Sequence, residues 1–304
     1  MMHHSIFIFT NNDSTKLGKV LAELSSVNEF YNIYVIDDSH SMGEIENNIR
    51  LTSKLGKNSY LGKEAFTYFY EHNDIEGKPS GDFIGTENWN LGTARNFALD
   101  YSIVNNYEKI LFIDDDISDI KINNVRYGFS TLTNNNFVSC HLKGRPDNSI
   151  VGHLAEILCE VDSDKRMLSG GFLFLSPRSL NHRFYNIYNE DWILQLLEAD
   201  KQRIMLPFSV NHDINGETLF KEDALYFQEI GEIVVKGLLV EKTALTLKSD
   251  FWTYIIQSRI LFIQTLIEKS EYLKKTKETI ILSSLYEWLK HFTGETLLKL
   301  ILRN

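Results

Sequence analysis

Short apolar runs that close in polar or acidic residues recur along the first two-thirds of the chain, with helical spacing between them. Residues 6–10, "IFIFT", lead into "NNDS", a turn that can also cap a helix, and Leu17, Val20, Leu21 and Leu24 then share one helical face. "NIYVIDDS" is a second apolar run, ending in Asp37 and Asp38, and "AFTYFYE" at 65–71 reads as a third strand. "NLGTARNFALDYSIV" sets Ala94, Phe97, Ala98 and Tyr101 at helical spacing, and "KILFIDDD" is again a strand of the buried type. This alternation predicts an α/β domain with a mixed, mainly parallel central sheet. Further on, "NNFVSCHL" and "SGGFLFLSP" read as strands and "NEDWILQLLEAD" as the start of a helix. "RIMLPFSVNHD" is a strand-like run ending in His212 and Asp213, and the chain closes in amphipathic helices broken near Gly294.

In such sheets ligands bind outside the carboxyl ends of the strands. Thr10, Asn11, Asn12 and Asp13, then Asp37 to Ser39, then Asp114 to Asp116 all fall at predicted strand ends, which points to a shared cleft. The run "FIDDDI" is the sharpest of these features, because three adjacent carboxylates repel one another unless a cation sits among them. Asp114 and Asp116 are two apart and are predicted to project to one side, as an oxygen pair for Mg²⁺ or Mn²⁺ beneath a diphosphate. Plainer readings exist for each residue. The acids can be a solvated strand end, Asp37 and Asp38 a turn or cap, and Arg95 a helix-surface ion pair. Asp191 can simply favour a helix start, and His212 can be an ordinary loop histidine.

Composition narrows the classes. A chain of 304 residues with 43% hydrophobic and 24% charged positions is globular, long enough for one large core with an appendage. The net charge of −10 argues against nucleic-acid binding. Residues 251–304 hold eight Lys and Arg against five Glu, so this mildly basic, aromatic tail reads as a helical cap, a homo-oligomer interface or a peripheral membrane contact. Cys140 and Cys159 are too few for a disulfide framework, and no apolar run approaches the ~20 residues of a membrane span. A cytoplasmic protein, at most peripheral at the inner membrane face, is expected.

The ordered motifs resemble the GT-A fold glycosyltransferases, especially the inverting enzymes of glycosyltransferase family 2. "IFTNND" stands where that family's first strand meets the nucleotide, and "VIDDSHS" matches its second strand end through Asp37 and Ser39. "NLGTARNFAL", with Asn90, Gly92 and Arg95, precedes "FIDDDI" as the family's loop and helix precede its metal-binding DxD. "SGGFLFLSPRSLNHRFYNIYNEDWIL" reproduces a Gly-Gly strand, a later Arg and an ED pair through Gly170, Gly171, Arg178, Glu190 and Asp191. The match covers roughly residues 5–215 and departs from the family at Ile193, where a second acid usually stands.

The resemblance implies a GT-A catalytic domain over 1–225 and a helical extension over 226–304. It implies transfer of a single sugar, with inversion, from a nucleoside diphosphate sugar such as a UDP-sugar to a glycan, lipid-linked or protein hydroxyl. Asp191 would be the base, and Asp114, Asp116 and His212 would hold Mn²⁺ or Mg²⁺. Thr10, Asn11, Asn12, Asp13, Asp37, Ser39, Asn90, Gly92, Arg95, Asp114, Asp115, Gly171 and Glu190 would line the donor. The competing readings are a haloacid-dehalogenase-like phosphohydrolase using Asp114 and Asp116, and a nucleotide-sugar-binding protein without turnover.

Overall fold

In the computed structural model, which describes residues 3–26, 30–56, 59–75, 91–144, 149–160, 167–213 and 222–302, the first apolar run forms β1 (His4–Thr10). Ser5 to Thr10 are all buried, as expected of a strand covered on both faces of a parallel sheet. Asp13 caps α1 (Ser14–Glu23) by accepting the Lys16 N–H, and Leu17, Val20 and Leu21 face inward. β2 (Asn32–Asp37), α2 (Met42–Thr52) and the two-residue β3 (Tyr60–Leu61) follow.

The stretch expected to be a third strand is instead α3 (Lys63–His72). Its alternating aromatics suit either period, but Phe66, Phe69 and Tyr70 are the positions that become buried, and only helical spacing gathers them on one face. Tyr68, between them, is 65% exposed. The remaining elements of this part are α4 (Leu91–Val104), β4 (Lys109–Asp114), β5 (Ile117–Ser118), α5 (Ile122–Thr131), β6 (Asn136–Gly144), β7 (Phe172–Leu175) and β8 (Gln202–His212).

Among the described residues the strands make one eight-stranded sheet in the order β3-β2-β1-β4-β7-β6-β8-β5. β1 pairs in parallel with β2 and β4, β2 with β3, and β6 with β8; β7 and the short β5 run the other way. The fold is therefore mixed α/β with a mainly parallel sheet. The register sets Thr10 beside Asp37 and Phe9 beside Asp114, so the polar end of β1 lies between the acidic ends of β2 and β4. β6 and β8 point the same way, which brings Gly144 and His212 to that edge as a register pair.

The chain divides into two compact units. The sheet unit takes Met1–Arg145, Met167–Asn186 and Glu198–Ile214. The helical unit takes Pro146–Arg166, Ile187–Leu197 and Asn215–Asn304. The latter contains α6 (Ile150–Cys159), α7 (Glu190–Leu197), α8 (Glu222–Val240), α9 (Ser249–Tyr272), α10 (Thr276–His291) and α11 (Gly294–Leu302). Trp252, fully buried on α9, lies against Gly237 of α8, where a methyl group would come within 2.3 Å of its ring. No helix among the described residues is long and apolar enough to cross a membrane.

Candidate functional site

The acidic strand ends of the sheet unit share work rather than crowd together. Asp114 faces α4: its carboxylate takes the Arg95 guanidinium at 3.2 Å. Arg95 is 1% exposed, lies over Phe9 and Phe184, and runs so close to Gly170 that a Cβ there would sit 2.2 Å from its Nη1. Asp115 instead accepts a hydrogen bond from Thr10 Oγ1 at 2.6 Å. Burial pushes the Asp115 carboxyl up to about 7, the Asp116 and Asp114 charges add to this, and Thr10 and Lys16 oppose it. Asp116 faces β8, with His212 Nε2 3.4 Å from its Oδ2.

Of the expected ligands, Asp116 and His212 lie side by side, while Asp114 is engaged by Arg95. β4 ends at Asp114 and the next two residues form a turn, so strand alternation does not carry across to Asp116. Among the described residues no three His, Cys, Asp or Glu side chains converge as a metal-holding group. The Asp116–His212 pair still fits a divalent ion. Asp116 Oδ1 is buried with no hydrogen-bond partner among the described residues, an arrangement that is costly unless something cationic or hydrogen-donating meets it. One carboxylate and one imidazole suit Mn²⁺, which commonly completes its shell with phosphate oxygens and water.

His212 is fixed from two sides. The Asp213 N–H donates to the Asp116 carbonyl at 2.8 Å. Gly144 stands opposite at φ +119°, where a Cβ would come within 2.6 Å of the His212 carbonyl oxygen. Only glycine combines that backbone conformation with that approach.

Asp37 and Ser39 lie one strand over and are both buried. Asp37 Oδ1 accepts the Ser39 N–H at 2.9 Å, and Oδ2 accepts Asn48 Nδ2 at 3.0 Å and the Tyr60 hydroxyl at 2.8 Å. Burial, with Asp37 beside it, pushes the Tyr60 phenol far above its ordinary range. Asn48 and Tyr60 are functional candidates that the motifs did not contain. Asn48 had one legible signal: with Thr52 it makes the inward face of α2 polar.

Asn12 ties the loop after β1 to the loop after β2. Its N–H donates to Ser39 Oγ at 2.7 Å, its Oδ1 accepts the His40 and Ser41 N–H groups, and its Nδ2 reaches Asn11 Oδ1 and His40 Nδ1. It does so in the left-handed region, at φ 55°. Asp13 is occupied as the cap of α1 and pairs with Lys16 at 3.6 Å. Gly92 is a packing glycine, with no room for a Cβ against the Tyr185 carbonyl. The Gly171 carbonyl accepts the Asp114 N–H at 3.0 Å. Asn90 lies outside the described residues.

Glu190 and Asp191 belong to the helical unit, where they open α7 and are both buried. Asp191 Oδ1 accepts the Trp192 N–H at 2.8 Å, the kind of contact a carboxylate makes at a helix N-terminus.

A mainly parallel sheet with polar or acidic ends on three adjoining strands, an antiparallel β7 inserted beside β4, and C-terminal helices is the GT-A glycosyltransferase fold. Solved structures bear this out at the level of fold. Glucosyl-3-phosphoglycerate synthase from Mycobacterium tuberculosis in complex with phosphoglyceric acid superposes with a TM-score of 0.53 at 14% identity, over 77% of this chain and 79% of that one. The same enzyme with Mn²⁺, UDP-glucose and phosphoglyceric acid gives 0.52 at 13%, over 77% and 79%. A structure described only as that of a mycobacterial protein gives 0.51 at 13%, over 77% and 74%. No family model matches the sequence. No curated protein matches it either.

Proposed function

We propose that this chain is a divalent-metal-dependent glycosyltransferase that moves one sugar from a nucleoside diphosphate sugar to an acceptor hydroxyl. The observation that carries the reading is the Asp116–His212 pair, with its orphaned buried carboxylate oxygen, at the acidic strand ends of this fold. The structural neighbour that holds Mn²⁺ and UDP-glucose supports the same donor class here. It also favours transfer over the phosphohydrolase alternative.

In this reading Asp116 and His212 hold the ion. When bound, the ion supplies positive charge to the departing diphosphate. Asp114, whose carboxylate Arg95 engages, would lie along the donor. Asp37, braced by Asn48, Tyr60 and the Ser39 N–H, recognises the base or ribose, and Asn12 keeps the two flanking loops at a set separation. Asp191 takes the proton from the acceptor hydroxyl, giving inversion by in-line attack.

The test is thermal stability against a panel of nucleoside diphosphates and their sugars, with Mn²⁺ and with EDTA. A ligand at 100 times its Kd should stabilise the fold by about 2.7 kcal/mol. A Mn²⁺-dependent shift with one nucleotide, lost in Asp116→Ala and kept in Asp191→Asn, is expected. Absence of a shift with every nucleotide would overturn the proposal.

A further inference from the structure

The helical unit contains a chain of polar contacts that runs from the buried Glu229 to the turn carrying Glu190 and Asp191. Glu229 of α8 is fully buried and takes the Arg259 guanidinium of α9 through both carboxylate oxygens, Nε to Oε1 at 2.5 Å and Nη2 to Oε2 at 3.1 Å. Burial pushes the Glu229 carboxyl up while the guanidinium pulls it down, and the carboxylates of Glu229 and Glu232 hold Arg259 charged. Arg259 Nη2 also reaches Glu232 Oε2 at 3.9 Å. Glu232 Oε1 in turn accepts Asn189 Nδ2 at 3.1 Å.

Asn189 is the hinge of this arrangement. It sits in the left-handed region at φ 64°, a conformation that costs a non-glycine residue on the order of 1 kcal/mol or more and persists where its surroundings hold it. Its carbonyl accepts the Ile193 N–H at 2.9 Å, so it sets the first turn of α7, whose second residue is Asp191. A second contact presses on the same turn. Gly231, next to Glu232 on α8, lies against the Tyr188 carbonyl, where a Cβ would come within 2.1 Å.

We propose that Glu232, backed by Arg259 and Glu229, is a positioning residue for Asp191, so that α8 and α9 are part of the catalytic apparatus. The proposal rests on the reading of Asp191 as the base. A buried ion pair of this kind is weak evidence of stability, since an apolar replacement is often as stable. Its better-attested use is to fix one conformation, and here the conformation fixed is that of the turn before the base.

The test uses the full chain and the variants Glu232→Ala, Glu232→Gln and Asp191→Asn. Glu232 is partly solvent-accessible, so neither change at that position leaves an enclosed cavity. Amide hydrogen exchange in peptides spanning 187–197 should rise at least tenfold in Glu232→Ala, return toward wild type in Glu232→Gln, which keeps an acceptor for Asn189, and stay unchanged in β1 and β4. With UDP-glucose and Mn²⁺, and water as the acceptor of the glucosyl group, Glu232→Ala should lose at least tenfold in kcat for UDP release at unchanged affinity for UDP. Unchanged exchange at 187–197 in Glu232→Ala would overturn the positioning role whatever the activity. Altered exchange with full activity in Asp191→Asn would leave the brace intact and remove the base.

Discussion

Asp37 already accepts hydrogen bonds on both carboxylate oxygens, and a ligand that uses it meets an acid whose orientation is fixed in advance. Tyr60→Phe removes one of those bonds, which for a charged acceptor is worth about 1.5–3 kcal/mol. The expected outcome is a lowered unfolding midpoint together with weaker nucleotide binding, measured by denaturant titration and calorimetry. Asp115 behaves in the opposite sense to a usual acid. Its folded value near 7 lies above the 3.8 of an exposed carboxyl, so the native state binds more protons than the unfolded chain between those values. In EDTA the metal-free protein should therefore lose stability as pH rises from about 4 to 7, and Asp115→Asn should flatten that slope while keeping an acceptor for Thr10. An unaltered slope in the variant would show that the carboxyl is ionised throughout.

Elements set the limits of what the chain's pattern reveals. The acidic ends of β2 and β4 were legible because an apolar run closing in acids has few structural explanations in a parallel sheet, and His212 was legible as a strand end. α3 was not, since Phe-Thr-Tyr-Phe-Tyr satisfies either period until burial selects one. Nor was the turn after Asp114 visible, although it decides which acids face which partners. Tyr60 and Asn189 escaped notice because the side chain of each acts through a contact distant in sequence, which no local spacing encodes, and Asn48 left only the polar inward face of α2. The β6–β8 pairing yields its own expectation. Gly144→Ala introduces a methyl group against the His212 carbonyl at an unfavourable φ, and should weaken Mn²⁺ binding in the presence of UDP by at least tenfold. Paramagnetic resonance of free Mn²⁺ reads this directly, and an unchanged affinity would show that His212 does not touch the ion.

At the scale of the whole molecule, the two thiols sit one in each unit and in contrasting settings. Cys140 is buried in β6 with its thiol pushed up to about 12, whereas Cys159 is exposed at the end of α6. One thiol should react quickly with an aromatic disulfide under native conditions and the second only on unfolding, so the second rate reports opening of the sheet unit. The anomeric configuration of the first sugar product, read by proton NMR, is expected to be inverted relative to the donor.

The Arg95–Asp114 pair has a further consequence for the order of events. Because that guanidinium is engaged by a strand-end acid, its charge is already spent locally, and Asp116 is one of the carboxylates that give the chain its net of −10. A bare nucleoside diphosphate meets the full repulsion of like charge, whereas its complex with a divalent ion carries two fewer negative charges and meets much less. On the proposed function, nucleotide should therefore bind far more weakly without the cation, which arrives first or together with it. The ionic-strength dependence carries the signature: added salt should strengthen UDP binding in EDTA by screening the repulsion and leave it unchanged or weaker with Mn²⁺.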